Sequence, residues 1–380
     1  MPLLGLVLLA CYAFSALAVG IHQIYPGMSP KQAFNGQHLN CNSSNTAADW
    51  WWVHATADPI GDRAPASIQI IFFMGYLLGP RDPDSPEFYV SVDGIFPNGT
   101  AFTQTLVASN ATVTTIGEQV TGEWTGVGGF KTSGDLSSFQ VYFDAPHVLD
   151  SPVTGTVIMK GNAPHHFACN TTTSPTFESA IPEGELTANE EAIYRDVGWA
   201  ITIPGGVAVV DLTIEGSRQF FRGSGYHDQN WFPGLLSDVV ATWSFGAGQA
   251  GPYTFSYIVI QARNSSRTLT TGFLARSGVI LQNQCGTEKI GNDRNVLTPY
   301  GIDSDSRSGV PTPKGYIVEY ILGNGERFEF NITALGRNPD IETYHRSVGT
   351  AVGGRVGERP SRGSTLFEWL NPGLLPYVPQ

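Results

Sequence analysis

The sequence predicts an all-β protein built from two antiparallel β-domains. Three observations carry this. Only 14% of the 380 residues are charged, while 44 glycines and 25 prolines punctuate the chain. Strand-like runs recur at short spacing. Long helices do not alternate with them, which points to sandwiches or barrels rather than to a parallel sheet.

The chain opens with an uncharged apolar run, Met1 to Ala18, ending in Ala16-Leu17-Ala18. The small-x-small ending is the form of a signal-peptidase site, so residues 1–18 are expected to be a cleaved signal peptide. Tyr12 and Ser15 shorten the apolar core below the roughly 20 residues that a span needs, so no stable membrane span is expected. Six Asn-x-Ser/Thr sequons, at Asn42, Asn98, Asn110, Asn170, Asn264 and Asn331, fit passage through the secretory pathway. Loss of the leader removes Cys11 and leaves Cys41, Cys169 and Cys285. In an oxidising compartment two of them can pair, and the spacing does not select which. No Cys/His cluster has metal spacing, so no metal is expected. The net charge of −12 argues against nucleic acid as a partner.

Ser67 to Met74 is β-branched and aromatic, and Glu87 to Val92 alternates before Asp93-Gly94. Phe139–Phe143, Val153–Met159, Trp199–Ile203, Ala208–Ile214, Asp238–Phe245, Thr254–Gln261, Tyr316–Ile321 and Arg327–Ile332 read likewise as strands. Only Asn189 to Val197 reads as a helix. The length favours two domains, and Glu215-Gly216-Ser217 offers the best break, giving domains 19–215 and 216–380.

Several motifs look chemical and read otherwise. Gly246-Ala247-Gly248-Gln249-Ala250-Gly251 matches GxGxxG, but Pro252 and a strand follow where a dinucleotide site needs a helix. His165-His166 would point to opposite faces of a strand. Asp82 to Glu87 is an acidic turn with two prolines, lacking the glycine of a calcium loop.

Two segments concentrate large side chains with polar tips. In Asp49-Trp50-Trp51-Trp52-Val53-His54, alternation puts Trp50 and Trp52 on the face opposite Trp51. In Gly225-Tyr226-His227-Asp228-Gln229-Asn230-Trp231, Tyr226, Asp228 and Asn230 share one face, and His227, Gln229 and Trp231 the other. A polar row this dense is costly to bury without partners, so it is either a hydrogen-bonded inter-domain network or a functional wall. Filling of barrel cores is the structural alternative for each tryptophan.

These segments carry a resemblance. Asp49-Trp50-Trp51-Trp52-Val53 with Ala55 is similar to the E-W-W-Y-F-D-A signature of the carotenoid-hydratase (hydroxyneurosporene synthase) and AttH-like lipocalin superfamily, and Gly225 to Trp231 to its G-Y-H-D-H-N-W block. Gly315 to Tyr320, Phe328 to Asn331, Arg346 to Gly357 and Leu366 to Leu370 resemble its closing strands. The resemblance implies two lipocalin-like β-domains with a ligand pocket at or near their junction. It also implies a cofactor-independent Diels-Alderase of the fungal branch, acting on small apolar substrates. The leader and sequons resemble most the hetero-Diels-Alderases that join a tropolone quinone methide to a macrocyclic terpene such as a humulene derivative. Decalin-forming cyclisation, a non-catalytic lipid or terpenoid carrier, and an isoprenoid hydratase are the alternatives. His54 stands where the family has Asp, and Gln229 where it has His, which weakens the hydratase reading because protonating an alkene needs a positioned acid.

On this reading the catalytic candidates are Tyr226, His227, Asp228 and Asn230. One of Tyr226, His227 or Asn230 donates to a substrate carbonyl, and His227 with Asp228 assists loss of water from a precursor. Asp49, Trp50, Trp52, Trp199, Trp231 and Trp243 form the substrate-binding wall. Holding two apolar partners in near-attack geometry supplies roughly 7–11 kcal/mol without cofactor or nucleophile.

Overall fold

The computed structural model describes residues 33–39, 41, 46–77, 85–143, 152–286, 292–303 and 308–377. The expected leader and the Asn42 sequon lie outside them, as does part of the acidic turn. The first sheet holds β1 (Ala48–Ala57), β2 (Ser67–Gly75), β3 (Phe88–Ile95), β4 (Ala101–Val107), β5 (Ala111–Ile116) and β6 (Gln119–Trp124). It continues with β7 (Gly128–Thr132), β8 (Ser138–Phe143), β9 (Val153–Gly161), β10 (His166–Phe167), β11 (Gly198–Ile214) and β12 (Ser217–Phe232). Its order is β4-β3-β2-β1-β12-β11-β9-β8-β7-β6-β5, with β10 paired on β11. The second sheet holds β13 (Val240–Ala250), β14 (Tyr253–Ala262), β15 (Thr268–Arg276), β16 (Val279–Cys285), β17 (Arg294–Tyr300), β18 (Gly315–Ile321), β19 (Arg327–Ile341), β20 (Tyr344–Arg355) and β21 (Ser361–Leu370). Its order is β16-β15-β14-β13-β21-β20-β19-β18-β17, and β17 returns beside β15 and β16, so this sheet is a nearly closed barrel. The first is a half-barrel.

The runs read as strands are strands. Trp199–Ile203 and Ala208–Ile214 fuse into one long strand, β11, which absorbs Pro204-Gly205 as bulges between Ile201 and Gly206. The helix is α1 (Ala188–Asp196), started by a capping box between Thr187 and Glu190. Gly246–Ala250 ends β13 and Gly251-Pro252 turns the hairpin into β14; at Gly246 a Cβ would lie 2.5 Å from the Tyr257 ring.

The domain boundary at 215/216 is corrected. Glu215 and Gly216, with φ of 48° and 75°, form the tight turn of the β11–β12 hairpin, and β12 pairs back into the first sheet. The chain changes sheet between Phe232 and Val240, through the short helix α2 (Leu236–Val239). A hairpin turn and a linker have the same composition, and only pairing separates them.

Three apolar clusters result: one inside each sheet and one between them. β1 and β12 are neighbours at the middle of the first sheet, and their alternation sorts side chains between two of these clusters. Trp51, Val53 and Trp231 enter the interior of the first sheet, while Trp50, Trp52 and Tyr226 enter the layer between sheets. The inner polar row of β12 is occupied by the segment 33–39. His227 Nδ1 bonds the Trp52 carbonyl at 2.8 Å, and its Nε2 faces the Asn35 amide at 3.1 Å. Gln229 Nε2 donates to the Gly36 carbonyl (2.7 Å) and to Asp49 Oδ1 (2.8 Å), and Asp49 Oδ2 accepts from the His38 backbone N–H at 2.6 Å. Trp231 stacks on His38 at 3.6 Å. Burial holds His227 neutral, with its pKa lowered to about 3, and raises that of Asp49 to about 7.

Cys169 and Cys285 form a disulfide that ties the segment after β10 to the end of β16, across the two sheets. Among the described residues the cysteine outside this bridge is Cys41, buried, with a pKa pushed up by burial and by the Asp49 carboxylate.

Closing a loop of 116 residues, the disulfide is expected to contribute about 4–5 kcal/mol on the chain-entropy model. Cys169→Ser should lower the melting temperature by several degrees in a thermal scan, and added reductant should then have no further effect. Trp231→Ala should cost about 3–5 kcal/mol in a urea titration, as a core truncation.

Candidate active site

A cavity of about 90 Å³ opens in the layer between the sheets. The first sheet contributes Trp50 and Trp52 of β1, Ile71 and Phe73 of β2, and Asp228 and Asn230 of β12. Register explains the grouping: Trp52 lies opposite both Asp228 and Ile71, and Trp50 opposite both Asn230 and Phe73. The second sheet contributes Trp243 and Phe245 of β13, Ile258 of β14, Tyr344 of β20, and Glu368 and Leu370 of β21. Leu77 and Leu236 complete the wall.

The walls are apolar, and a carboxyl group stands on each sheet. Asp228, 3% exposed, is held by three donors. Its Oδ2 accepts from Trp199 Nε1 (2.7 Å) and the Tyr226 hydroxyl (2.7 Å), and its Oδ1 from Asn230 Nδ2 (2.8 Å). Those donors favour the ionised form, but burial outweighs them and raises the Asp228 pKa to about 7. Two donors occupy Oδ2, one of them an indole N–H that cannot accept. The Tyr226 hydroxyl can also accept, so neutral Asp228 holds its proton either on Oδ2, shared with Tyr226, or on Oδ1, beside Asn230.

On the second sheet, Glu368 also rises to about 7 through burial, opposed by Arg346 and by a hydrogen bond from the Tyr344 hydroxyl to its Oε2. Arg346 is buried behind the wall. Its Nη2 donates to the Tyr344 hydroxyl at 2.6 Å, its Nη1 lies 3.4 Å from Asp93 Oδ2 of β3, and its guanidinium sits 5.0 Å from the Trp52 ring centroid. One cation thus joins a carboxylate of the first sheet to the polar end of the cavity wall on the second. His54 accepts from Trp52 Nε1 (3.0 Å) and stacks on Tyr226; burial and Arg346 lower its pKa to about 3, so it stays neutral.

Of the residues singled out from sequence, Trp50, Trp52, Asp228, Asn230 and Trp243 line the cavity. Tyr226 and Trp199 stand behind Asp228 and hold it. Three placements are corrected. Asp49, His227 and Trp231 project into the interior of the first sheet and bind the segment 33–39, because odd and even positions of β1 and β12 face opposite ways. The His227–Asp228 pair, adjacent in sequence, is split by the sheet. Tyr344, Arg346 and Glu368 were not singled out. A lone Glu inside the apolar run Leu366-Phe367-Glu368-Trp369-Leu370 was the available signal. His166 stacks on Phe273 at 3.9 Å, and His165 is exposed. Among the described residues no group of three or more His, Cys, Asp or Glu stands where it could hold a metal ion, and no helix is long and apolar enough to cross a membrane.

The profile of the Diels-Alderase-like family matches residues 69–371. The quinolone epoxide rearrangement protein penF of Penicillium thymicola is 28% identical over 342 residues, covering 87% of this chain and 86% of that protein. The Diels-Alderase poxQ of Penicillium oxalicum is 24% identical over 363 residues, covering 90% and 75%. The crystal structure of CghA with Sch210972 superposes with a TM-score of 0.70 at 19% identity, over 92% of this chain and 95% of that one. That of a putative AttH from Nitrosomonas europaea superposes at 0.54 and 14%, over 92% and 100%, which shows the lipocalin-like fold. Sheets, cavity and profile agree: the chain belongs to the Diels-Alderase-like family of cycloaddition and rearrangement enzymes.

Proposed function

We propose that the chain cyclises or rearranges a single, uncharged, largely apolar substrate in the cavity between the sheets, with Asp228 as hydrogen-bond donor to a substrate oxygen. The observation that carries this is a carboxyl buried on the cavity wall, its Oδ2 engaged by Trp199 and Tyr226, that burial pushes toward the neutral form. A neutral carboxylic acid in an apolar site stabilises charge shifting onto a carbonyl or epoxide oxygen in the transition state. The aromatic walls, Trp50, Trp52, Phe73, Trp243 and Phe245, supply contact area and orientation. Trp199 and Tyr226 position the acid. The reading calls for no cofactor.

The narrower expectation, a tropolone quinone methide joined to a macrocyclic terpene, stands second within this class. A cavity of about 90 Å³ is smaller than the roughly 150 Å³ that admits one benzene ring. A ligand with one ring must displace lining side chains or extend out of the cavity, and two partners together must do so far more. The relatives named for quinolone epoxide rearrangement favour one substrate carrying its own reacting group.

We further propose that the chain is exported and glycosylated. Asn98, Asn110, Asn170, Asn264 and Asn331 are all exposed, and a disulfide suits an oxidising compartment.

The first test is turnover of a quinolone bearing an epoxidised side chain, and of a linear triene with an internal electron-poor dienophile. The protein should convert one of them faster than buffer and to a single stereoisomer; binding without acceleration would make it a carrier. Asp228→Leu, which removes the donor that an asparagine amide would keep, should lower kcat by about 10²–10³-fold, and full activity of that variant would remove Asp228 from the mechanism. Activity should fall as pH rises through about 7, where Asp228 ionises. The folded carboxyl binds its proton more tightly than the unfolded one does. Its contribution to stability is therefore present at low pH and is lost between about pH 4 and 7. In denaturation measured against pH, Asp228→Asn should remove that component. Treatment of the exported protein with an N-glycan-cleaving amidase should lower its mass if the sequons are occupied, and an unchanged mass would refute glycosylation.

A further inference from the structure

The two carboxyl groups on the cavity wall differ in what their oxygens are left free to do. Asp228, on the first sheet, has both engaged, Oδ2 by Trp199 and Tyr226 and Oδ1 by Asn230. Glu368, on the second, makes its polar contacts through Oε2, which accepts from the Tyr344 hydroxyl and lies 4.0 Å from Arg346 Nε. Its Oε1 accepts no hydrogen bond among the described residues, yet it is not one of the sealed, unpartnered atoms of the interior. Glu368 is 8% exposed and lines the cavity, so the bare oxygen opens there. A glutamate that served only to anchor Arg346 would need no such oxygen.

Arg346 stands on the Glu368 side of the cavity, bridging to Asp93 at 3.4 Å, whereas neutral donors alone surround Asp228. When the two carboxyls share one proton, the charge therefore falls on Glu368 and the proton on Asp228. The Glu368 charge is itself one cause of the raised Asp228 pKa. The other titratable groups that face the pair keep their state near neutral pH. His54 is neutral, and burial pushes Tyr226, Tyr257 and Tyr344 well above the ordinary tyrosine range.

A desolvated carboxylate with one bare oxygen, sharing an apolar cavity with a neutral acid, is suited to moving a proton between two atoms of a bound carbonyl compound. We propose that Glu368 is a catalytic base and that the chain also enolises ketones: Glu368 Oε1 takes a proton from the carbon beside the carbonyl, and the carbonyl oxygen takes one from Asp228. The C–H bonding pair becomes the new C=C bond, and the carbonyl π pair forms the O–H bond. One carboxyl gains the proton that the other loses, so the charge of the pair is unchanged. The substrate class is a β,γ-unsaturated ketone, whose enol is a conjugated dienol. Such a dienol is an electron-rich diene, the kind of π system that a cycloaddition consumes. Return of the proton to the far carbon gives the conjugated ketone instead. The assignment rests on the reading of Asp228 as a donor and adds the base that works with it.

The probe is cyclohex-3-en-1-one in deuterated buffer. Exchange of the protons between its carbonyl and alkene is followed by NMR, and the conjugated isomer by its ultraviolet absorbance. The wild-type protein should exchange those protons about tenfold faster than buffer or more. Glu368→Gln, which keeps the shape of the side chain, should lower the protein-dependent rate by about 10²-fold or more. No acceleration by the wild type, or an undiminished rate in a folded Glu368→Gln, would overturn the proposal. Should that variant not fold, the wild-type pH profile decides. A base and an acid that share one proton give a maximum near pH 7 with a fall on both sides. A rate that only climbs with pH would refute the base. Conversion of the epoxide or the triene without any exchange would refute Glu368 and leave the reading of the cavity standing. Exchange that survives Asp228→Leu but is lost in Glu368→Gln would refute Asp228 as the donor and leave Glu368 as the base.

Discussion

The interior of this protein is organised around one costly act, the burial of the Asp228 carboxyl at the seam between two sheets. An isolated carboxylate there would be expelled or neutralised. Trp199, Tyr226 and Asn230 supply three short hydrogen bonds, and each comes from the two strands that carry the longest hairpin of the first sheet. The group that results is poised between its two protonation states near neutral pH. The chemistry proposed for the cavity follows from that balance.

The seam itself is held by more than apolar contact. Ser224 and Ser364 meet at 2.6 Å, Gln249 donates to the Gly206 carbonyl at 2.7 Å, and Asn283 donates to the Phe167 carbonyl at 2.8 Å. The Asp93–Arg346–Tyr344–Glu368 chain runs through the same layer. Buried ion pairs contribute little net stability, because desolvation offsets their attraction. Their geometric demands, however, fix the spacing of the two sheets around the cavity. The seam hydrogen bonds and the Cys169–Cys285 bridge add to that constraint on the tryptophan-lined layer.

The inner polar row of β12 has a different use. His227, Gln229 and Asp49 receive the segment 33–39, which lies across the interior of the half-barrel. A half-barrel leaves its concave face short of cover, and this segment supplies both backbone partners and the His38 ring that stacks on Trp231. The two faces of one strand thus serve structure and site separately. Gly198, where a Cβ would lie 1.9 Å from the Trp231 indole, keeps room for the structural face.

The split between what was legible and what was not follows from the range of the forces involved. Strand periodicity, turn chemistry and the capping box at Thr187 act over a few residues, so the sheets, the helix and the two-faced character of Trp50–Trp52 and Tyr226–Trp231 were readable along the chain. The site was half readable, because Asp228, Asn230, Trp50, Trp52 and Trp243 lie in segments whose composition is conspicuous. Which face meets a cavity is not a local property. His227 and Trp231 are as conspicuous as Asp228, and only the pairing of β1 and β12 with their neighbours sends them inward. The domain boundary misled for the same reason, a turn within one sheet being chemically identical to a link between two. Tyr344, Arg346 and Glu368 reach the site only because β20 and β21 pair beside β13, more than a hundred residues from Asp228 in sequence. The linear chain determined its strands, its alternation and the class of its chemistry; the closing of one sheet against the other decided which polar groups lost water together around the cavity.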